Sequence, residues 1–204
     1  MLERVRQLLR DLAPDIEKCL LPSARDEQLE MLRAQFKTQF PGDLMDLYRD
    51  SAGLDPDATA NFAFGLGFTD IDSVVRQLQN ADSDFDDVPL KFADPGIRKN
   101  FTHGKSRIEI GNDSAHCKLC VDLAPDIDGD HGQVIFVDEV HQVSLMLARS
   151  IRQFIAKFEN DLASGKYSLH EGALEDGVQW LSPSRDINLV NWFKSPTWQY
   201  AKTS

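Results

Sequence analysis

Cysteine is scarce in this chain, and the three that occur, Cys19, Cys117 and Cys120, are an odd number. An odd set argues against a secreted disulfide framework and points to reduced thiols. Long apolar runs are missing too. None approaches the length that spans a bilayer, and the first twenty residues carry charges every few positions, unlike the apolar stretch of a secretory leader. The expected location is the cytoplasm. Basic residues are in short supply, with Lys and Arg at 22 against 33 Asp and Glu, for a formal charge of −11. That balance repels nucleic-acid phosphates and anionic lipid, so the expected large partner is a basic protein, not a nucleic acid or a membrane. The chain also lacks internal repeats, a phosphate-binding loop and a Gly-x-Ser-x-Gly elbow.

What is present describes an ordinary globular chain. The 204 residues are 42% hydrophobic and 27% charged, enough for one sizeable core without disulfides or metal. The acid is concentrated in the middle. Residues 50–94 hold ten Asp and no Glu, with only Arg76 and Lys91 as bases, and residues 109–139 hold eight acids against Lys118 alone. Such a face serves solubility or docks a basic protein, and charge by itself separates the two poorly.

Leu2, Val5, Leu8, Leu9, Leu12 and Ile16 recur at helical spacing, with Pro14 as a break or a fresh first turn. A second helix is expected with Ser23 as N-cap and Leu29, Leu32 and Phe36 on one face. A third should run from Asp43 to Asp50, with Gly53 left-handed just past its end. Phe62, Phe64 and Leu66 alternate as a strand does, and a helix holding Ile71, Val74, Val75 and Leu78 follows, capped by Thr69 or Asp70. Residues 82–87 read as loop. Arg107 to Ile110 forms a short strand. Cys117 to Leu123 and Gln133 to Val140 form a period-two hairpin around the Asp- and Gly-rich connection 126–132. A last helix is expected from about Leu145 to Leu162, with Gly165 beyond it. Strands between helices without regular alternation give an α+β fold, a mainly antiparallel central sheet with flanking helices. The expected organisation is one domain over residues 1–165 and a Trp-containing extension over 166–204, in which Ile187, Leu189, Val190 and Phe193 make a short helix laid on the main body.

Several constellations could carry chemistry. Cys117 and Cys120 have a Cys-x-x-Cys spacing, but on a strand they point to opposite faces, and His103 or His131 would have to complete a zinc site. Asp126, Asp128 and Asp130 have the spacing of a calcium loop, yet His131 stands where that loop needs glycine and Val137 where it needs a closing carboxylate. In Gly65-Leu66-Gly67-Phe68-Thr69-Asp70 the third glycine of a dinucleotide fingerprint is replaced by Asp70. His141, Asp138 and Glu139 cluster at a strand end, where acid–base work is conceivable and a polar strand end is commoner. None of these makes an enzyme the better reading, and no catalytic residue, cofactor or metal is expected.

The order of segments resembles the SUKH superfamily, which groups fungal cell-wall assembly regulators with many bacterial immunity proteins. The resemblance runs through the helix 26–36, then Phe40-Pro41-Gly42-Asp43-Leu44-Met45-Asp46-Leu47-Tyr48 and Gly53. It resumes at Arg107-Ile108-Glu109-Ile110-Gly111-Asn112-Asp113, Leu119-Cys120-Val121-Asp122-Leu123 and Gly132-Gln133-Val134-Ile135-Phe136, and closes with the helix from Leu147 to Phe158. It covers residues 23–165. Ala52 replaces the family's usual Asn, and Ser114-Ala115-His116-Cys117 its usual glycine-rich turn. The resemblance implies binding without catalysis. The expected function is an immunity protein that occludes a cognate, basic toxin domain, with contacts at Asp82, Asp84, Asp86, Asp87, Asp126, Asp128 and Asp130. A regulatory adaptor without a toxin partner and a small metal-dependent hydrolase using Cys117, Cys120 or His131 are the alternatives.

Overall fold

A computed structural model of the chain describes residues 1–36, 40–80, 89–99 and 106–202. The N-terminal periodicity resolves into α1 (Glu3–Leu12) and α2 (Pro14–Cys19), with Pro14 in the first turn of α2, where a missing N–H costs nothing. α3 (Asp26–Ala34) starts later than Ser23 would place it. Residues 20–24 are extended and tied to residues 48–54 through Leu21 N–H to Gly53 O and Ala24 N–H to Tyr48 O, so Ser23 is held away from a cap. The Gln28 side chain accepts from the Arg25 backbone instead, at 3.0 Å.

α4 spans Gly42–Asp50, and Gly53 beyond it has φ +116°. A close approach makes glycine necessary there: a Cβ would stand 2.5 Å from the Asp70 Cα and 2.8 Å from its nitrogen. The expected strand at Phe62, Phe64 and Leu66 is a tight turn, with Phe64 at φ 59° and Phe62 N–H donating to Leu66 O. All three side chains are buried in the main core, with Phe64 against Phe154 and Phe158, as the shared face of a strand would also place them; it is the backbone that reverses. α5 (Ile71–Asn80) is capped by Asp70, whose Oδ1 accepts from Ser73 N–H at 2.9 Å.

The central sheet consists of β1 (Phe92–Ala93), β2 (Arg107–Asn112), β3 (Cys117–Asp122), β4 (Gln133–Asp138) and β5 (Val143–Ala148), in the order β1-β5-β4-β3-β2. All pairs are antiparallel except β1 with β5, so the expected α+β class holds. The expected start of the last helix at Leu145 is wrong. Residues 143–148 pair with β4, and α6 (Ile151–Ala163) begins after Ser150, whose Oγ accepts from Gln153 N–H. The hairpin strands also depart from half-buried alternation, since all six positions of β4 are buried. One face, with Val121, Val134, Phe136 and Leu145, meets α6 and the N-terminal helices in the main core; the other, with Cys120, Ile135 and Val137, is covered by Leu90 and Ile97.

The C-terminal segment adds β6 (Tyr167–Leu169), the short α7 (Glu171–Glu175) and β7 (Leu181–Pro183). The short helix expected around 187–193 is irregular apart from a single 3₁₀ turn at Trp192–Lys194, and a second 3₁₀ turn follows at Gln199–Lys202. Leu181, Ile187, Leu189, Trp192 and Trp198 join the main core. Polar ties lock the segment down: Asn61 exchanges two 2.8 Å hydrogen bonds with the Leu181 backbone, Phe64 N–H donates to Tyr167 Oη, and Trp192 Nε1–H donates to Asp138 Oδ2.

Gly53→Ala should lower unfolding free energy by about 2 kcal/mol or more through backbone clash and positive-φ strain. Gly42→Ala, where an added Cβ meets nothing within 4 Å, should shift it by less than about 1 kcal/mol. Urea titrations of the two variants check the difference.

Candidate partner-binding surface

The sheet presents a different surface at each end of β3 and β4. At one end lies the 123–132 connection, which holds the expected contacts Asp126, Asp128 and Asp130. Asp126 N–H donates to Gly96 O at 3.0 Å and Gly129 N–H to Asp126 O at 2.9 Å, while Arg98 Nε donates to Pro125 O at 3.1 Å. Gly129 packs so closely on residue 96 that a Cβ would fall 2.3 Å from the Gly96 oxygen. Beneath the turn the Gln133 side chain is fully buried. Its Nε2 donates to Gly96 O and Asp122 Oδ2, and its Oε1 accepts from Asp130 N–H, all at 2.9 Å. Arg107 reinforces this base, with its Nε 3.9 Å from Asp122 Oδ1 and its Nη2 donating to Arg98 O.

The clamped turn holds Ile127 out at 94% exposure, flanked by exposed Asp126 and Asp128. An apolar side chain of that size, carried on a hydrogen-bonded turn and flanked by two carboxylates, has little backbone ordering entropy left to lose if it is covered. Asp130 is less available, because Arg149 Nη1 pairs with its Oδ2 at 2.8 Å. Among the described residues these three carboxylates form no group able to hold a metal. Asp82, Asp84, Asp86 and Asp87 lie outside the described residues, as does His103.

At the other end an open groove of about 720 Å³ runs between the 54–60 loop, the Gly65–Gly67 stretch, the β2–β3 turn and the C-terminal segment. Asp55, Asp70 and Asp113 line it together with His170 and Trp180, and no Lys or Arg is among its described lining residues. Gly67 N–H pairs with Asn112 O there, so the Gly-x-Gly stretch serves to bring backbones together. Sequence reasoning missed this groove because its acids lie far apart in the chain and part of its wall comes from residues 170–191.

The thiols offer no nucleophile. Cys117 faces the main core and Cys120 the smaller one, and burial pushes both thiols up, Cys120 to about 12, so neither is a thiolate at neutral pH. His131, the other residue considered for metal chemistry, is exposed beside the tip.

A mixed five-stranded sheet with helices packed against its main face defines an α+β fold of the SUKH type. The model of the SMI1 / KNR4 family (SUKH-1) matches residues 23–157, and the chain belongs to that family. The family is generally non-catalytic and its members are protein-binding modules. No curated protein matches the chain with significance. The family match excludes α1 and α2, the end of α6 and the whole C-terminal segment. Among the described residues no helix is long and apolar enough to cross a membrane.

Replacing Gln133 by Ala should cost about 2–3 kcal/mol, because Asp122 and the Gly96 carbonyl are left buried without that donor. Amide exchange should quicken at Asp126 and Asp130 by more than the global loss accounts for, which hydrogen-exchange mass spectrometry reads against the urea value.

Proposed function

We propose that the chain is an immunity protein, which neutralises a cognate basic toxin domain by stoichiometric binding in the cytoplasm. The observation that carries this reading is the clamped tip, where Ile127 stands 94% exposed between Asp126 and Asp128. A fixed apolar anchor inside a carboxylate rim suits a cationic protein surface. The rim speeds encounter, and the covered side chain slows release. The charge of −11 extends the attraction beyond the contact. Asp126 and Asp128 are the principal contacts. Asp130 shares its charge with Arg149, and Asp82, Asp84, Asp86 and Asp87, outside the described residues, are retained as contacts on their charge alone. Membership of a generally non-catalytic family supports occlusion as the mode of action, and three unpaired cysteines suit a reducing compartment. In this reading residues 166–204 are an extension that braces the binding domain of residues 1–165.

This reading expects a toxin domain encoded beside this chain's own gene, and that domain, immobilised for binding kinetics at several salt concentrations, is the partner to test. Asp126→Asn/Asp128→Asn should slow association about three- to tenfold at low salt and flatten its salt dependence. Ile127→Ala should leave association alone and speed dissociation about tenfold or more. Failure of the wild-type chain to bind or protect against that domain would contradict the immunity reading and leave the regulatory adaptor. Binding with both variants unchanged would contradict the tip as its site.

A further inference from the structure

Five side chains able to ligate a metal gather where the β2–β3 turn meets the β4–β5 turn, at the end of the sheet away from the acidic tip. They form two overlapping groups of three, His116 with Asp138 and His141, and His116 with Asp113 and Cys117. Within each group one ligand atom per residue lies within 4.8 Å of the others. Each group has one buried member, Cys117 or Asp138, and the first differs in holding two part-exposed histidines, His116 and His141, whose side chains are 37% and 49% exposed. An ion can therefore reach the first group from solvent.

The first group is also held in place. Asp138 is 1% exposed at the last position of β4, and its carboxylate accepts from Trp192 Nε1 and His141 N–H, each at 2.8 Å. Glu139 N–H donates to His116 O, which joins the two turns, and Asp113 Oδ1 accepts from the Ala115 and Cys117 backbones to fix the turn that carries His116. The His141 ring lies against Phe193 with centroids 5.9 Å apart. Such outer partners orient first-sphere ligands and raise affinity.

We propose that His116, Asp138 and His141 bind one divalent transition-metal ion of the zinc type, a site independent of the toxin-binding reading. His141 Nδ1 stands 2.8 Å from Asp138 Oδ2, and His116 Nε2 stands 3.9 Å from Asp138 Oδ1. Ligand atoms of one tetrahedral zinc lie about 3.4 Å apart, between those two separations, so small side-chain rotations close the site. Two imidazoles and one carboxylate select a borderline ion. Calcium and magnesium ask for more oxygen than a single carboxylate supplies. The remaining coordination positions face solvent and take water. Binding cross-links two strand-end turns directly beneath Trp192, so it also fastens the C-terminal segment to the sheet.

Calorimetric titration of Zn²⁺ into the untagged full chain tests this. One ion should bind per chain, with Mg²⁺ giving no heat. His116→Ala and His141→Ala should each weaken Zn²⁺ binding about tenfold or more, and Cys117→Ser should leave it unchanged. In the wild-type protein, Zn²⁺ should shift the ring resonances of His116 and His141 and leave those of the other three histidines in place. Three results overturn the proposal: no stoichiometric binding by the wild type, unchanged binding in the double histidine variant, or loss of binding in Cys117→Ser with both histidine variants intact. The resonance measurement needs no variant, so a substitution that disturbs folding leaves the test decisive.

Discussion

Gln133 and Asp138, the first and last residues of β4, are polar side chains buried to 0% and 1% exposure, and their need for partners organises both ends of the molecule. Central strands covered on both faces leave no water to satisfy such groups, and an unpaired one costs more than a formed hydrogen bond returns. At the Gln133 end the partners are the Gly96 carbonyl, the Asp122 carboxylate and the Asp130 backbone, and together they make the base of the tip. At the Asp138 end they are the Trp192 indole, the His141 backbone and its ring. The same constraint thus produces a rigid acidic knob at one end and a histidine cluster at the other.

Asp138 shows how closely its partners offset burial. Burial alone raises a carboxyl pKa, yet the donors from His141 and Trp192 hold this one below the ordinary carboxylate range. Its stabilising contribution is therefore present above the unfolded carboxylate value near about pH 4 and fades as pH falls through the lower folded value. Asp94 is the opposite case. There burial outweighs the donors from Met146 N–H and Tyr200 Oη, and the carboxyl is pushed up. That carboxylate weakens the fold as pH rises from the unfolded value through the raised one, so the two carboxyls act with opposite sign.

Much of this architecture can be read from the chain, where local chemistry decides it. Pro14 restarting a helix, Asp70 capping one and the Asp-rich connection between two apolar runs are signals carried within a few residues. The failures are tertiary. Leu145 and Leu147 continue the apolar period of the following helix, and only pairing with β4 makes them a strand. Phe62, Phe64 and Leu66 alternate as a strand does, and the same burial is met by a turn with Phe64 at positive φ, which period two alone does not distinguish. Half-buried alternation fails for β4 because Leu90 and Ile97 arrive from outside the sheet to cover its second face. Of the surface features, the tip's acids were visible as a run. The outward projection of Ile127 and the pairing of Asp130 with Arg149 depend on distant residues. The meeting of His116 with His141 across two turns has no local signature.

As a SUKH family member the chain places its sequence-distinctive features outside the region matched by the family: the tryptophan-bearing segment and the N-terminal helices both pack into the main core. They leave the acidic tip free and brace the sheet from which it projects, an arrangement suited to presenting one fixed surface to another protein. Hydrogen-exchange mass spectrometry of the chain alone and bound to the proposed toxin partner tests this most directly. Protection gained on binding should be confined to residues 124–132 and the adjoining 94–98 stretch, with exchange in the core strands unchanged. Protection gained in the groove lined by Asp55, Asp113 and Trp180, with none at the tip, would contradict the account.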